Sequence, residues 1–482
     1  MPTTSDLPRL YRDTRPNIGI VHLGPGAFFR AFNAVFTDEA MRATGGDWGI
    51  CAVSLRSAAA RDALQGQDCL FHSVTLDPDG VRPAVIGSIV DVLVAPDDPE
   101  AVLNIMTRPE TKIVSMTITE KGYCFDPATG GMDNNHPDIQ HDLDTPHAPK
   151  SAVGFIVQAL RMRRDQGSAP FTVMACDNMP DNGAVARRVV LEFAQKNDTE
   201  LAAWIAENGA FPSTMVDRIT PATTLKDIED VGRLTGKYDP AAVFHEPFRQ
   251  WVIEDKFVDD ARPEWHLAGA EIVDDVAAHE AMKLRCLNGA HSTLAYLGYL
   301  AGHHSVSAAL QDPLFRALLD RLWRDEIIPS LSPPVGVDVQ KYCNDLAVRF
   351  ANPSIHHKTW QIAMDGSQKL PQRLLATVAD NLEANRPIDM LALAVAGWMR
   401  YVGGVDDAGD EIDVRDPMAI DLRAAFDGEK GVTGQVAVFM KMRSIFPTTL
   451  AQNVTFIGAV ETALERLTLI GVRKTLEQEF GT

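Results

Sequence analysis

The segment KLRCLNGAH places a lysine, an amide and an imidazole at the head of a helical pattern that is otherwise apolar. Lys283, Asn288 and His291 stand among leucines and precede the run STLAYLGYLAG. On an ideal α-helix His291 lies about 80° and Asn288 about 140° round from Lys283, so one broad face can hold all three. A desolvated lysine becomes a usable base, and an amide can stabilise a carbinol oxygen that becomes a carbonyl. A snorkelling lysine, a capping amide and a core histidine are the structural alternative.

A second candidate site is the segment HLGPGAFFR, which follows a strand predicted over residues 18–23. A Gly-rich turn between a strand and a helix lets backbone N–H groups approach a pyrophosphate. Phe29 replaces the usual third glycine, and a tight turn without a ligand is the alternative reading. The candidate cofactor residues of this segment are Gly24, Gly26, Ala27, Phe28 and Arg30.

The end of the second predicted strand, over residues 47–55, bears on the choice of cofactor. Dinucleotide-binding folds usually place an acidic residue there for the adenosine ribose. This chain has Ser54, Leu55 and Arg56. Arg56 is either a solvated surface charge or a contact for a 2′-phosphate, so the choice between NAD and NADP stays open at this position.

Two further segments place polar side chains beside apolar residues. Asn178, in ACDNMPDNG, comes just after a predicted buried strand, where open α/β sheets bind their ligands. A simple turn is the alternative, because Asp, Asn, Pro and Gly all favour turns. Asp217 and Arg218, in FPSTMVDRITP, lie between apolar residues, where a structural ion pair is the default interpretation.

The patterns around these segments predict two domains. Near-continuous apolar strands over 111–119 and 171–178, with a helix between them, indicate a largely parallel sheet. A hairpin closed by Asp77-Pro78-Asp79-Gly80 is also predicted. Residues 1–276 therefore read as an α/β Rossmann-like dinucleotide-binding domain. Helical spacing prevails afterwards, for instance over 278–302, 338–352 and 389–404, and predicts a mostly α-helical substrate-binding and catalytic domain over 277–482.

Composition limits the function classes. The chain has 482 residues and a net charge of −20, which disfavours nucleic acid and anionic membranes as partners. Its six cysteines form no CxxC pair, which indicates free thiols and no cysteine-built zinc site. The polar N-terminus lacks the apolar region of a signal peptide, and no apolar run reaches about 18 residues. We expect a cytoplasmic protein that acts on a small molecule.

The motifs resemble one known family. HLGPGAFFRAF, TITEKGY, CDNMPDNG, FPSTMVDRITP and KLRCLNGAHSTLAYLG, in this order and spacing, are similar to the mannitol dehydrogenase family of polyol-specific long-chain dehydrogenases. The likeness covers nearly the whole chain, and the Lys-x4-Asn-x2-His signature is intact. Within the family, EPFRQWVIED, TWQIAMDGSQKLPQR, AGWMRY and DVRDPM resemble the fructuronate reductases, also called D-mannonate oxidoreductases.

The resemblance implies metal-independent, NAD-dependent interconversion of D-mannonate and D-fructuronate, with NADP not excluded. It implies that Lys283 is the general acid/base, and that two amides hold the reacting oxygen. These amides are Asn178 and Asn288, and the further substrate positions of the family are His291, Asp217 and Lys369. Family members are often monomeric, so we expect a monomer or a weak homo-oligomer.

Two departures from the family pattern matter. Phe29-Arg30-Ala31-Phe32 stands where polyol dehydrogenases tend to carry HRAH, and Gln361 stands where they tend to carry arginine. The uronate-type members share the glutamine, so Gln361 favours an acid substrate.

A substrate carboxylate needs a cation or several donors. The segment HHKTWQIAMDGSQKLPQR offers Lys358, Lys369 and Arg373, plus His356 and His357. Lys369 is the best candidate, and surface charge is the alternative for Lys358 and Arg373. Rival functions are oxidation of mannitol or arabinitol, reduction of tagaturonate, and a non-catalytic NAD-binding sensor.

Overall fold

The computed structural model describes residues 7–126, 129–355, 357–428 and 431–481. The chain divides into two compact units, Met1–Ala277 and Ala278–Thr482. Within the described residues, no helix has both the length and the apolar character that a membrane span requires. All six cysteines are buried and free.

A parallel sheet of five strands forms the centre of the N-terminal unit, in the order β5-β2-β1-β6-β9. Alternate residues of each strand face two different cores. In β1 (Ile18–Leu23), Val21 packs with helices α4 (Pro99–Thr107) and α6 (Ala152–Asp165), whereas Ile20 packs with α1 (Ala27–Ala31) and α2 (Asn33–Thr44). This two-sided burial explains why the strands read as continuous apolar runs. The strands of the sheet are β1 (Ile18–Leu23), β2 (Gly49–Ser54), β5 (Ile89–Val94), β6 (Ile113–Met116) and β9 (Thr172–Ala175).

Smaller sheets complete this unit. The predicted hairpin is confirmed, because β3 and β4 pair antiparallel with Asp77 opposite Gly80, and β11 joins β3 in parallel. The strands are β3 (Phe71–Asp77), β4 (Gly80–Ile86) and β11 (Val243–His245), then β10 (Thr214–Asp217), β12 (Gln250–Glu254) and β13 (Glu271–Val273), and the pair β7 (Phe125–Asp126) and β8 (Gly131–Met132). The helices are α1 (Ala27–Ala31), α2 (Asn33–Thr44), α3 (Ala59–Leu64), α4 (Pro99–Thr107), α5 (Pro137–Asp144), α6 (Ala152–Asp165), α7 (Asn182–Asn197), α8 (Thr199–Asn208) and α9 (Leu225–Thr235).

In its described part the C-terminal unit is helical, around one large core that includes Trp323 and Trp398. The α-helices are α10 (Ala277–Met282), α11 (Ala290–Leu300), α12 (Val306–Gln311), α13 (Pro313–Arg321), α14 (Val339–Ala351), α15 (Thr359–Ala363), α16 (Gly366–Leu370), α17 (Ala376–Glu383), α18 (Asp389–Val402), α19 (Ala419–Asp427), α20 (Val432–Phe439), α21 (Thr448–Ala451) and α22 (Val454–Phe480). The fold class predicted from the sequence is confirmed: an α/β N-terminal part with a parallel sheet and a mostly α-helical C-terminal part.

Three π-helical segments interrupt this pattern: Lys283–Gly289, Leu322–Ile327 and Pro371–Leu375. The first falls on the segment expected to be one regular helix over 278–302. The angles calculated for an ideal α-helix therefore do not hold between Lys283 and Asn288, and this part of the expectation is wrong. A π-helix bonds each N–H to the carbonyl five residues earlier, which α-helical periodicity in the sequence does not reveal.

Candidate functional site

The Gly-rich turn of the N-terminal unit is fixed by hydrogen bonds to two neighbouring strands. The Gly24 N–H donates to the Val53 carbonyl at 2.9 Å, and the Thr117 hydroxyl donates to the Gly24 carbonyl at 2.8 Å. Gly24 has a φ of +90°, and a Cβ there would lie 2.3 Å from the Thr117 carbonyl oxygen. Only glycine fits this position, for both conformation and space.

A histidine in the preceding strand supports the same turn. His22 in β1 is fully buried, and burial lowers its pKa to about 3. Its Nε2 lies 2.9 Å from the Thr117 hydroxyl, and its Nδ1 lies 2.8 Å from the Ser115 hydroxyl. Because Thr117 already donates to Gly24, a neutral His22 donates at Nε2 and accepts at Nδ1. Phe29 stacks flat on this imidazole, with ring centroids 3.6 Å apart. The stack brings α1 close to the sheet, which is the role of the third glycine in the usual motif.

The turn offers N–H groups at the start of α1 and not at the glycines themselves. The Gly26 N–H donates to the Gly24 carbonyl at 2.7 Å and the Gly24 N–H donates to Val53, so both glycine N–H groups already have acceptors. The N–H groups of Ala27 and Phe28, at the first positions of α1, have no acceptor within the helix. Gly26 contributes space, because a Cβ there would meet only the Gly24 carbonyl at 4.0 Å.

A cavity of about 680 Å³ opens over this turn. Gly24, Gly26, Ala27, Arg30 and Arg56 all line it, so the structure brings five of the predicted cofactor residues together. Phe28 does not line the cavity; its ring stacks on Phe32 at 5.1 Å.

The cavity is cationic, although the chain as a whole is acidic. Besides Arg30 and Arg56, its lining contains Lys121 and Lys150, with Asp138 as the carboxylate. Sequence reasoning missed both lysines, because they lie far from the glycine motif along the chain. Arg30 donates to the Pro25 carbonyl at 2.8 Å, and burial lowers its pKa to about 10. The cations, the N–H groups of α1 and the open side of Gly26 together fit a pyrophosphate.

Asn178 is exposed just beyond the end of β9, and its neighbour Asp177 fixes this part of the sheet edge. The Asp177 carboxylate accepts hydrogen bonds from the N–H groups of Ile118 at 3.0 Å and Thr119 at 2.9 Å, and from the Tyr123 hydroxyl at 2.8 Å. Burial raises the pKa of Asp177 although these bonds oppose the shift. The loop after β6 and the end of β9 are thus tied together, which makes Asp177 a positioning residue that the turn-like sequence did not reveal.

Asp217 is buried at the end of β10, and its side chain is 3% exposed. The adjacent Arg218 donates to the Ala31 carbonyl at 2.6 Å and to the Glu246 carbonyl at 3.2 Å. Burial lowers the pKa of Arg218 to about 9. Arg218 therefore joins the end of α1 to the residue after β11 through backbone carbonyls.

In the C-terminal unit, the π-helical segment Lys283–Gly289 carries two of the predicted catalytic side chains. Lys283 and Asn288 are five residues apart, which is the spacing of a π-helical hydrogen bond, so they come closer to one face than an α-helix would allow. Lys283 is 6% exposed and Asn288 is half-buried. Single π-turns within helices occur often at functional sites.

His291 follows on α11 and lies in a group of aromatic and cationic side chains. Its ring stacks on Phe350 at 4.3 Å and meets His357 edge-on at 5.1 Å. Burial lowers the pKa of His291 well below its usual value, and the positive charges of Arg373 and Arg349 add to this effect. His291 Nε2 is buried without a hydrogen-bond partner among the described residues.

The candidate carboxylate partners of the segment after His356 differ in their exposure and contacts. His356 itself lies outside the described residues. Lys369 donates to the carbonyls of Ile362 at 3.3 Å and Met364 at 2.6 Å. Burial lowers the pKa of His357 to about 4, and the positive charge of Lys369 adds to this effect. Gln361 and Lys358 are exposed.

Arg373 is half-buried. It donates to the buried Ser292 hydroxyl at 3.3 Å. Burial lowers the pKa values of His291 and His357, and the positive charge of Arg373 adds to both shifts. Within the described residues, no group of three or more His, Cys, Asp or Glu side chains is arranged to hold a metal ion.

Comparison with known proteins agrees with this architecture. The mannitol dehydrogenase Rossmann domain matches residues 18–267, and the mannitol dehydrogenase C-terminal domain matches residues 275–468. The chain is 48% identical to the D-mannonate oxidoreductase of Escherichia coli over 459 residues, covering 94% of each chain. It is 40% identical to a mannitol 2-dehydrogenase of Aspergillus terreus over 478 residues, covering 98% of this chain and 94% of the relative.

A solved structure is similar over almost the whole length. It is the Pseudomonas fluorescens mannitol 2-dehydrogenase in a ternary complex with NAD and D-mannitol, with a TM-score of 0.87, 39% identity, and coverage of 99% of this chain and 95% of that one. Fold and site thus define an oxidoreductase with a Rossmann-type N-terminal domain. The chain belongs to the mannitol dehydrogenase family, so the resemblance predicted from its motifs is confirmed.

Proposed function

We propose that this dehydrogenase interconverts D-mannonate and D-fructuronate with NAD(H). The observation that carries the proposal is the cationic surrounding of the buried His291 imidazole, to which Arg373 and Arg349 contribute. A neutral hexitol gains little from such a concentration of positive charge, whereas a sugar carboxylate is stabilised by it. The 48% identity to a D-mannonate oxidoreductase supports the same substrate class.

Lys283 is the proposed general acid/base. In the oxidative direction its amine takes the proton of the substrate hydroxyl. NAD⁺, when bound, would supply the acceptor for the hydride that leaves the same carbon. Lys283 is 6% exposed, and a lysine that acts as a general base near neutral pH needs such a desolvated amine. The amides of Asn178 and Asn288 hold the oxygen as it becomes a carbonyl.

The other family positions are proposed to bind the substrate. A neutral His291 can donate from Nε2 to a substrate hydroxyl, and that atom has no partner among the described residues. Asp217 accepts from a hydroxyl. Lys369 binds the Met364 carbonyl and lies near the His357 imidazole. Gln361 takes the place of the arginine of polyol dehydrogenases. A cytoplasmic location and a monomeric or weakly oligomeric state stay predictions.

The cofactor is NAD, bound by the N-terminal unit over Gly24, Gly26 and the start of α1. The cationic cavity fits its pyrophosphate. The exposed Arg56 at the end of β2 leaves the adenosine ribose without an acidic partner at that position, so we expect weaker discrimination against NADP than is usual.

An absorbance assay of NADH consumption tests the function. D-fructuronate, D-tagaturonate, D-fructose and the corresponding alcohols are compared by kcat/KM, each with NADH and with NADPH. We expect D-fructuronate to exceed D-fructose by a wide margin. Equal rates on these two ketoses, or faster oxidation of mannitol than of mannonate, would move the protein to the polyol branch, which the mannitol 2-dehydrogenase relatives represent. No turnover of any sugar or sugar acid, with intact NADH binding, would favour a sensor.

A further inference from the structure

Two π-helical segments of the C-terminal unit pack against each other. One carries Lys283 and Asn288, and the other, Pro371–Leu375, carries Arg373. A Cβ at Gly289 would lie 3.0 Å from the Arg373 carbonyl oxygen, so the glycine permits this close approach. The backbone of Arg373 is thereby fixed directly beside the segment of the proposed base.

The Arg373 side chain reaches the residue that follows His291. Its Nη1 donates to the hydroxyl of Ser292, which is 1% exposed and follows His291 in the chain. A guanidinium presents its N–H donors in a planar fork, which matches the geometry of a carboxylate.

The two imidazoles beside Arg373 each present an unused ring nitrogen. His291 Nε2 and His357 Nδ1 are buried, and neither has a hydrogen-bond partner among the described residues. Burial and the adjacent cations keep both rings neutral, so each can carry one N–H at that atom. Such groups cost free energy unless a ligand satisfies them.

Lys369 is less suited to bind an anion directly. Its ammonium donates to the Met364 carbonyl at 2.6 Å and to the Ile362 carbonyl at 3.3 Å, which turns it toward the backbone of its own loop. A lysine is a point charge, whereas arginine matches the two oxygens of a carboxylate with two parallel bonds.

We infer that Arg373 binds the carboxylate of the sugar acid, with His291 Nε2 and His357 Nδ1 as neutral donors beside it. This inference rests on the proposed function and names the residue that selects acids over neutral sugars. The carboxylate of D-fructuronate lies at the other end of the carbon chain from the ketone. One substrate can therefore place its reacting oxygen at Lys283 and its charge at Arg373.

Substitution of Arg373 tests the inference through substrate selectivity. We compare Arg373→Met and Arg373→Lys with Lys358→Met, which removes an exposed cation of the same segment. The measured quantity is the ratio of kcat/KM for D-fructuronate to kcat/KM for D-fructose. It should fall about 30-fold or more in Arg373→Met, mainly through KM, and less in Arg373→Lys, since a charged hydrogen-bond partner is lost or weakened. It should not change in Lys358→Met. A proportional loss on both substrates, or an unchanged ratio, would overturn the inference.

A binding measurement separates this inference from the proposed function. Calorimetric titration with D-mannonate is carried out on Lys283→Ala protein, with and without Arg373→Met, after circular dichroism has shown that the variants are folded. We expect mannonate to bind only when Arg373 is present. If the wild type binds mannonate through Arg373 yet does not oxidise it, the proposed function fails and the inference stands. If mannonate binds equally with and without Arg373, or does not bind at all, the inference fails.

Discussion

The candidate site of each unit is built by different means. Over the Gly-rich turn, the N-terminal unit presents mainly backbone: two glycines, the first N–H groups of α1, and cations around them. Around Lys283, the C-terminal unit presents side chains that two π-helical segments bring together. A backbone site tolerates many residue types outside its glycines, whereas a side-chain site depends on each group. The comparison predicts severe single-residue effects in the C-terminal unit and conformational ones in the N-terminal unit.

The largest effect is expected from Lys283→Ala. Loss of a general base should lower kcat by about 10² to 10⁴, because proton transfer from the hydroxyl then depends on water. NADH affinity, measured by fluorescence titration, should barely change, since the cofactor turn lies in the other unit. Lys441→Ala, which removes an exposed lysine of the same unit, is the matched control. Near-normal turnover in Lys283→Ala would remove the residue from the proposed role.

The next effect concerns two buried carboxylates that accept backbone N–H groups, one in each unit. Asp177 binds the loop after β6, and Glu326 accepts from Met390 at 2.7 Å and Leu391 at 2.8 Å at the start of α18. Burial raises the pKa of Glu326 to about 7. Because the folded chain favours the protonated acid, this group stabilises the fold fully below about pH 4.5 and loses that contribution as the pH rises through 7.

Glu326→Gln should therefore remove a pH-dependent part of the free energy of unfolding on the order of 3 kcal/mol between pH 4.5 and 8. Urea unfolding of wild type and variant at both pH values measures it. Glu383→Gln, an exposed position on α17, should leave the pH dependence as it is. Parallel pH profiles of wild type and Glu326→Gln would contradict the assignment.

Gly24→Ala tests the backbone character of the cofactor turn. An alanine there combines an unfavourable φ of +90° with a clash against the Thr117 carbonyl, so the turn must shift. We expect the Kd for NADH to rise about tenfold or more, which corresponds to about 1.4 kcal/mol. Gly45→Ala is the matched control, because Gly45 has a φ of +73° but nothing within 4 Å of its Cβ position. Unchanged NADH binding in Gly24→Ala would show that the turn does not shape the site.

The smallest effect is expected at Arg56, whose side chain is exposed at the rim of the cavity. Arg56→Ala should lower kcat/KM with NADPH by about tenfold and with NADH by less than about threefold, if the guanidinium helps to accept a 2′-phosphate. The wild type should still prefer NADH. A large NADPH preference in the wild type would make Arg56 a strong phosphate ligand, and equal effects on both cofactors would make it a surface charge.

The sequence by itself determined the features that depend on local patterns. The strand Ile18–Leu23, the glycine turn and the start of a helix at Ala27 follow from a short apolar run and residues that permit a sharp turn. The hairpin between β3 and β4 follows from its turn residues, and family membership follows from motifs in a fixed order. In each case the information lies within a few neighbouring residues.

Tertiary structure alone decided the rest. The π-helical register at Lys283 depends on packing, since the same residues satisfy α-helical spacing. Lys121 and Lys150 reach the cavity because separate loops meet at the carboxyl edge of the parallel sheet. Arg373 reads as a surface charge until its segment is packed on Gly289. These features join residues far apart in sequence, and only the packing of helices and strands brings such residues into contact.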